Sequence, residues 1–181
     1  MGERKCIFKA DGYSMEVFDM SNFDDFCQLN QDPIVSRYVN HNGGKPKTFR
    51  ECVEKYDDIT YGQEHYGYSY WAIYNNLNEF VGQCGVLKCW NDSNNFCYAF
   101  KKKYWGKGIG GKVCKLVIDY VFDNFDEIQK IETSVMSANV ASVKIVNKIG
   151  FKYLYTKKEF GEDLEFFELD RDDFYENKKI I

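Results

Sequence analysis

"YWGKGIGGKV", residues 104–113, sets four glycines and two lysines in ten positions. Three phosphate-handling patterns fit it. Gly106, Gly108 and Gly111 match the G-x-G-x-x-G of a dinucleotide-binding turn, and Gly106 to Lys112 match the G-x-x-x-x-G-K of a P-loop. The third is the strand-to-helix turn that cradles the pyrophosphate of coenzyme A. It needs only small residues with free backbone N–H groups and a helix N-terminus behind them.

The flanking sequence decides among them. Upstream, "YWAIY" (70–74) and "EFVGQCGVLKCW" (79–90) alternate with period two around "NNLN", a hairpin, and "NFCYAFKK" (95–102) reads as a third strand. Downstream, Ile109, Val113, Leu116, Val117, Tyr120, Val121 and Phe125 keep helical spacing. "KIETSV" (130–135) is a strand, "NVASVKIVNKIG" (139–150) a helix closed by Gly150, and residues 151–170 a hairpin around Gly161. Before the meander, 13–20 reads as a strand, 21–30 as a helix capped by Ser21, and 32–40 as a short helical turn. A helix follows over 48–59, where Thr48 and Glu51 form a capping box, with loops at 41–47 and 62–69. The expected fold is mixed α/β (α+β), one domain over 1–181. Its sheet has roughly six to seven strands, mostly antiparallel, with a central parallel β-α-β crossover and flanking helices.

A P-loop needs Ser or Thr after the lysine to ligate magnesium, and Val113 offers no oxygen. A dinucleotide fold needs a parallel array with an acid past the end of its second strand. Glu132 lies near the start of its strand, and the hairpin that follows cannot build a second mononucleotide half. The coenzyme A turn remains.

With "SANVASVKIVNKIGF" (137–151) set beside the glycine turn, the sequence resembles the GNAT superfamily of acetyl-CoA-dependent N-acetyltransferases. More narrowly it is similar to the branch containing ribosomal-protein alanine N-acetyltransferases. That branch often carries Trp-Gly-Lys-Gly at the turn, as Trp105 to Gly108 do here. It also shows N-x-x-S before K-x-G-F, matched by Asn139, Ser142, Lys148, Gly150 and Phe151, and an early D-P-x-V with a following Tyr, matched by Asp32, Pro33, Val35 and Tyr38.

The resemblance implies transfer of an acetyl group from acetyl-CoA to a primary amine by direct attack, the acceptor being a small molecule or a protein N-terminus. It assigns the diphosphate to the backbone of Gly106, Lys107, Gly108, Ile109, Gly110 and Gly111. It assigns the pantetheine arm to the strand at Tyr98, Ala99 and Phe100, and a further contact with the arm to Asn139, a residue type that also favours helix N-caps. Two departures stand out. Many members place a general-acid Tyr where this chain has Val146, which leaves Ser142 as the candidate acid. A Glu common three residues before the strand's Tyr is Asn95 here. Glu79 and Asp92 are the acids that a water relay would use, and His41 and His65 sit in expected loops near the substrate mouth. Those departures leave a catalytically weak CoA-binding or regulatory protein of the same fold as the alternative.

A net charge of −4 argues against a nucleic-acid partner. The seven cysteines, at 6, 27, 52, 84, 89, 97 and 114, form no C-x-x-C and fall mostly in apolar runs. They read as reduced core thiols of a cytoplasmic protein, with no metal framework. Neither an apolar leader nor a span of about 20 apolar residues occurs, so no membrane association is expected. Monomer and homodimer both remain open.

Overall fold

The computed structural model describes residues 5–40 and 44–178. It opens on a hairpin, β1 (Cys6–Ala10) and β2 (Tyr13–Glu16). Asp11 and Gly12 turn it, both at positive φ, 55° and 83°. Asp-Gly is among the pairs that adopt this turn at low steric cost. Three helices follow. In α1 (Phe23–Gln31) the apolar positions Phe26, Cys27 and Leu29 are buried. In α2 (Pro33–Val39) Pro33 takes the first turn, and the Asp32 carboxylate accepts from Ile34 N at 2.7 Å and Val35 N at 3.3 Å. In α3 (Phe49–Tyr66) the Thr48–Glu51 capping box forms as expected, and Gly67 ends the helix at φ 78°.

A meander comes next: β3 (Tyr70–Asn75), β4 (Phe80–Lys88) and β5 (Asn94–Phe100). Then α4 (Ile109–Asn124) crosses to β6 (Lys130–Met136). The chain closes with α5 (Val140–Ile149), the hairpin β7 (Lys152–Glu159) and β8 (Glu162–Asp170), and α6 (Arg171–Lys178). The strands make one sheet of eight in the order β1-β2-β3-β4-β5-β6-β8-β7. Every neighbouring pair is antiparallel except β5 with β6.

Each face of the sheet has its own core. α4, α5 and α6 cover one, around Trp71, Phe96, Val117, Phe122 and Phe167. α1, α2 and α3 cover the other, around Phe26, Leu29, Tyr56, Ile59, Tyr74 and Phe80. Alternation along β5 sends Phe96 and Phe100 to the first core and Cys97 and Ala99 to the second.

Five expectations change. The sheet has eight strands because β1 was not foreseen. The strand expected over 13–20 stops at Glu16. Ser21 does not cap the first helix: its hydroxyl donates to Asp19, and the helix starts after Asn22. The helix expected to end near Ile59 runs to Tyr66 and absorbs most of the loop expected at 62–69. Gly62 permits that extension, since a Cβ there would lie 3.2 Å from Ser69 Oγ. The terminal helix α6 was also unforeseen. Arg171 anchors it by donating to the carbonyls of Phe125 (3.0 Å) and Ile128 (3.3 Å).

Candidate active site

The single parallel pairing is also the shortest. β5 and β6 register at Asn95 with Glu132 and then part. Lys101 N donates to Val81 O, so alternate residues back along β5, Ala99 and Cys97, spend their backbone groups on β4. The N–H and C=O groups of Phe96, Tyr98 and Phe100 therefore turn toward β6. Thr133 Oγ1 donates to Phe96 O at 2.8 Å, a side chain in place of the next rung. Trp105 Nε1 donates to Phe100 O at 2.7 Å. Between them Tyr98 presents its backbone to the opening. The same alternation on β6, fixed by Ser137 N donating to Asp163 O, presents Ser134 from the other side. The opening belongs to a cleft of about 1620 Å³. Thr133→Val is expected to cost about 1–3 kcal/mol in denaturant unfolding, because the buried Phe96 carbonyl loses its donor.

The glycine turn lies at the end of this opening. Gly106 (φ 71°) and Gly108 (φ 75°) are left-handed, a region that side chains with a Cβ enter only at a cost. Nothing lies within 4 Å of a Cβ built on either. Lys112 N is the first amide of α4 to bond back, onto Gly108 O at 3.2 Å. The N–H groups of Ile109, Gly110 and Gly111 thus belong to the unpaired first turn, at the positive end of the helix dipole. The glycines differ in task. Gly106 and Gly108 shape the turn. Gly110 lets α5 come close, since a Cβ would sit 3.2 Å from Ile145 Cδ1. Gly111 lines the cleft and leaves space there. Lys112, Lys115, Lys144 and Lys148 add a basic rim. Asp11 pairs with Lys112 at 3.4 Å and Asp119 with Lys115 at 3.0 Å.

Asn139 caps α5: its side chain accepts from Ser142 N at 3.2 Å, and both residues line the cleft. Tyr98 OH donates to Ser142 O at 3.4 Å, and burial holds the Tyr98 phenol well above the usual tyrosine range. Val146 is fully buried in the core and has no access to the opening. The cleft thus collects Tyr98, Ala99, Phe100, Gly106, Gly108, Gly110, Gly111, Asn139 and Ser142. Ala99 faces away from the gap with its backbone on β4, while Lys107 is exposed at the turn.

The candidate bases are not gathered there. Glu79 is bound by Asn75 Nδ2, Tyr104 OH and Lys103 Nζ, and these partners hold its carboxyl below the usual range. Asp92 pairs with Lys88 at 3.3 Å on an exposed turn. His65 belongs to the last turn of α3 and not to a loop, and stacks on Tyr61 at 3.8 Å. None of the three lines the cleft, and His41 lies outside the described residues. Asn95 lines it, beside the strand divergence.

Beyond β5 the cleft continues between α2, α3 and the second core. Asn30, Tyr38, Lys47, Lys55, Tyr70 and Gln83 line that half. The Lys55 ammonium sits 5.1 Å over the Tyr70 ring, and desolvation pulls its pKa below the usual lysine value. Sequence reading did not single out Lys55 or Gln83. A lysine on an amphipathic helix looks solvated until the strands beneath it are placed. Trp105 was noted for its motif, yet its indole links the glycine turn to the end of β5 and meets Tyr38 edge-on at 6.0 Å.

Comparison with known proteins agrees with this geometry. The sequence model of the acetyltransferase (GNAT) domain matches residues 16–152. A Bacillus subtilis protein, YkkB, is 28% identical over 147 residues, covering 79% of this chain and 83% of that one. Among solved structures, the ribosomal-protein-S5-alanine acetyltransferase of Vibrio fischeri superposes with a TM-score of 0.72 at 16% identity, over 92% of this chain and 97% of that one. The spermidine N-acetyltransferase of Vibrio cholerae, in complex with CoA and spermine, superposes with a TM-score of 0.75 at 14% identity, over 91% and 98%. A matched domain over most of the chain, an interrupted sheet and a left-handed glycine turn at the mouth of the interruption lead to one conclusion: the chain belongs to the GNAT acetyltransferase family.

Proposed function

We propose that the cleft binds acetyl-CoA and that the protein transfers its acetyl group to a primary amine by direct attack within a ternary complex. The observation that carries this reading is the unpaired backbone at Tyr98, continuous with the amide nest that Gly106 and Gly108 shape. The nest and the first turn of α4 take the diphosphate. The arm lies along β5 as an added strand would, with Asn139 beside it. Tyr98 N–H faces the thioester oxygen and stabilises charge that develops there. Ser142, at the first turn of α5, hands its hydroxyl proton to the departing sulfur and regains one, through water, from the attacking nitrogen, with the Tyr98 hydroxyl on its carbonyl. Glu51, the one carboxylate lining the acceptor half among the described residues, is held by Thr48. The acceptor amine therefore loses its proton to water in the cleft. Seven free thiols suit a reducing compartment, and we place the protein in the cytoplasm.

Calorimetry with CoA and release of free thiol from acetyl-CoA in the presence of amines test the reading. Ser142→Ala is expected to lower kcat about tenfold with the CoA dissociation constant unchanged. An unchanged kcat removes Ser142 from the role. Asn95 and the buried Val146 favour a second reading, a CoA-binding protein of weak activity. CoA binding without thiol release on any amine would establish it.

A further inference from the structure

Resting on the transferase reading, we infer that the acceptor is a small amine that also carries a carboxylate, an amino acid, and that the Lys55 ammonium and the Gln83 amide bind that carboxylate.

Tyr70 and Cys97 share a row of the sheet, both registered to Gly85, and Lys55 lies over the Tyr70 ring. Gln83 occupies the next row, between Ala72 and Ala99. It is buried, and its Oε1 accepts from Asn30 Nδ2 at 3.4 Å. That bond orients the amide and leaves Nε2 as its donating end. Lys55 has no ion pair among the described residues. Asp58, exposed and one turn further along α3, is the one carboxylate that raises its pKa, against desolvation and the nearby charge of Lys47. Glu51, one turn before it, has its carboxylate oxygen on Thr48 N at 2.7 Å and Thr48 Oγ1 at 2.8 Å.

The acceptor half thus offers two cations, an amide donor and no uncommitted carboxylate among the described residues. A half-buried cation without a counter-ion is costly, and an incoming anion would relieve that cost. A polyamine would bring a second ammonium against Lys55 and Lys47, where like charges repel. The row that Lys55 overhangs ends at Cys97, the residue next to Tyr98 on β5, so the anchor and the thioester site lie in one cleft. Val35, Tyr38 and Val39 form an apolar wall for the acceptor's side chain.

The test is thiol release from acetyl-CoA by the full-length protein with L-phenylalanine, L-leucine, their amides, and spermidine. The acids are expected to exceed the amides at least about tenfold in kcat/KM. Lys55→Met should bring that ratio to about one, and Lys55→Arg, which keeps the charge, should preserve it. Calorimetry showing that Lys55→Met still binds CoA establishes that the variant is folded. Release with amides or spermidine ahead of the acids overturns the carboxylate anchor and leaves the transferase reading standing, as does a preference that survives Lys55→Met. No release with any of these amines, nor with peptides bearing a free N-terminus, overturns both.

Discussion

Gly111→Leu is expected to fold normally, with equal or slightly higher thermal stability, and to lose about two orders of magnitude in CoA affinity. The two effects run in opposite directions because the position has two neighbours of different kinds. Its backbone is helical, in the first turn of α4, so replacing glycine recovers helix propensity of about 0.8 kcal/mol. A Cβ there meets nothing closer than Ile145 Cγ1 at 3.9 Å, so the protein accommodates it. The side chain then projects into the cleft beside amides that we assign to the diphosphate. Losing one or two charge-assisted bonds there costs about 1.5–3 kcal/mol each, which corresponds to roughly a hundredfold in affinity. Melting curves and calorimetry on the same sample separate the terms. A variant that binds CoA as the parent does would remove the diphosphate from this turn.

Gly82→Ala is expected to damage the fold itself. Gly82 pairs with Phe100, and a Cβ on it would overlap Ala99 O and come within 2.7 Å of the Phe100 backbone and 2.9 Å of its ring. Backbone on the facing strand cannot rotate aside, as a side-chain tip could. Overpacking of this kind costs about 3 kcal/mol, a fall in melting temperature of about 6–12 °C for a chain of this size. CoA affinity should fall as well, since relief of the clash displaces the strand segment that holds Tyr98 toward the opening. A melting temperature within a degree of the parent would show that the strands have room to spare.

The part of the fold that carries the site was legible because its signals are local and strong. Alternation over 79–90 and 95–102, helical spacing from Ile109, and the turn residues Gly150 and Gly161 each identify an element without reference to the rest. Asp-Gly at 11–12 was an equally local hairpin signal. Its first strand is nonetheless hidden, because "CIFKA" is short and not alternating in polarity. α6 gave almost no signal. Its residues are mostly charged and it buries Phe174 alone, so its place follows from Arg171 bonding to distant carbonyls. Gly62 read as a breaker, yet it is the point of close approach between α3 and the segment after it. In the site, the glycine turn and Asn139 were readable because backbone geometry constrains residue type. The acceptor half was not, because Lys55 and Gln83 acquire meaning only from side chains brought together across three strands and a helix.

The parting of β5 and β6 also bears on what this protein avoids. Unpaired strand backbone at the margin of a sheet invites other polypeptides to dock and aggregate. Here the vacancy is interior, closed at one end by the rung at Asn95 and roofed by α4 and α5. A foreign strand would need about 4.8 Å of clearance on either side along its whole length, which converging strands deny it. Stickiness is thereby confined to guests slender enough to thread a wedge.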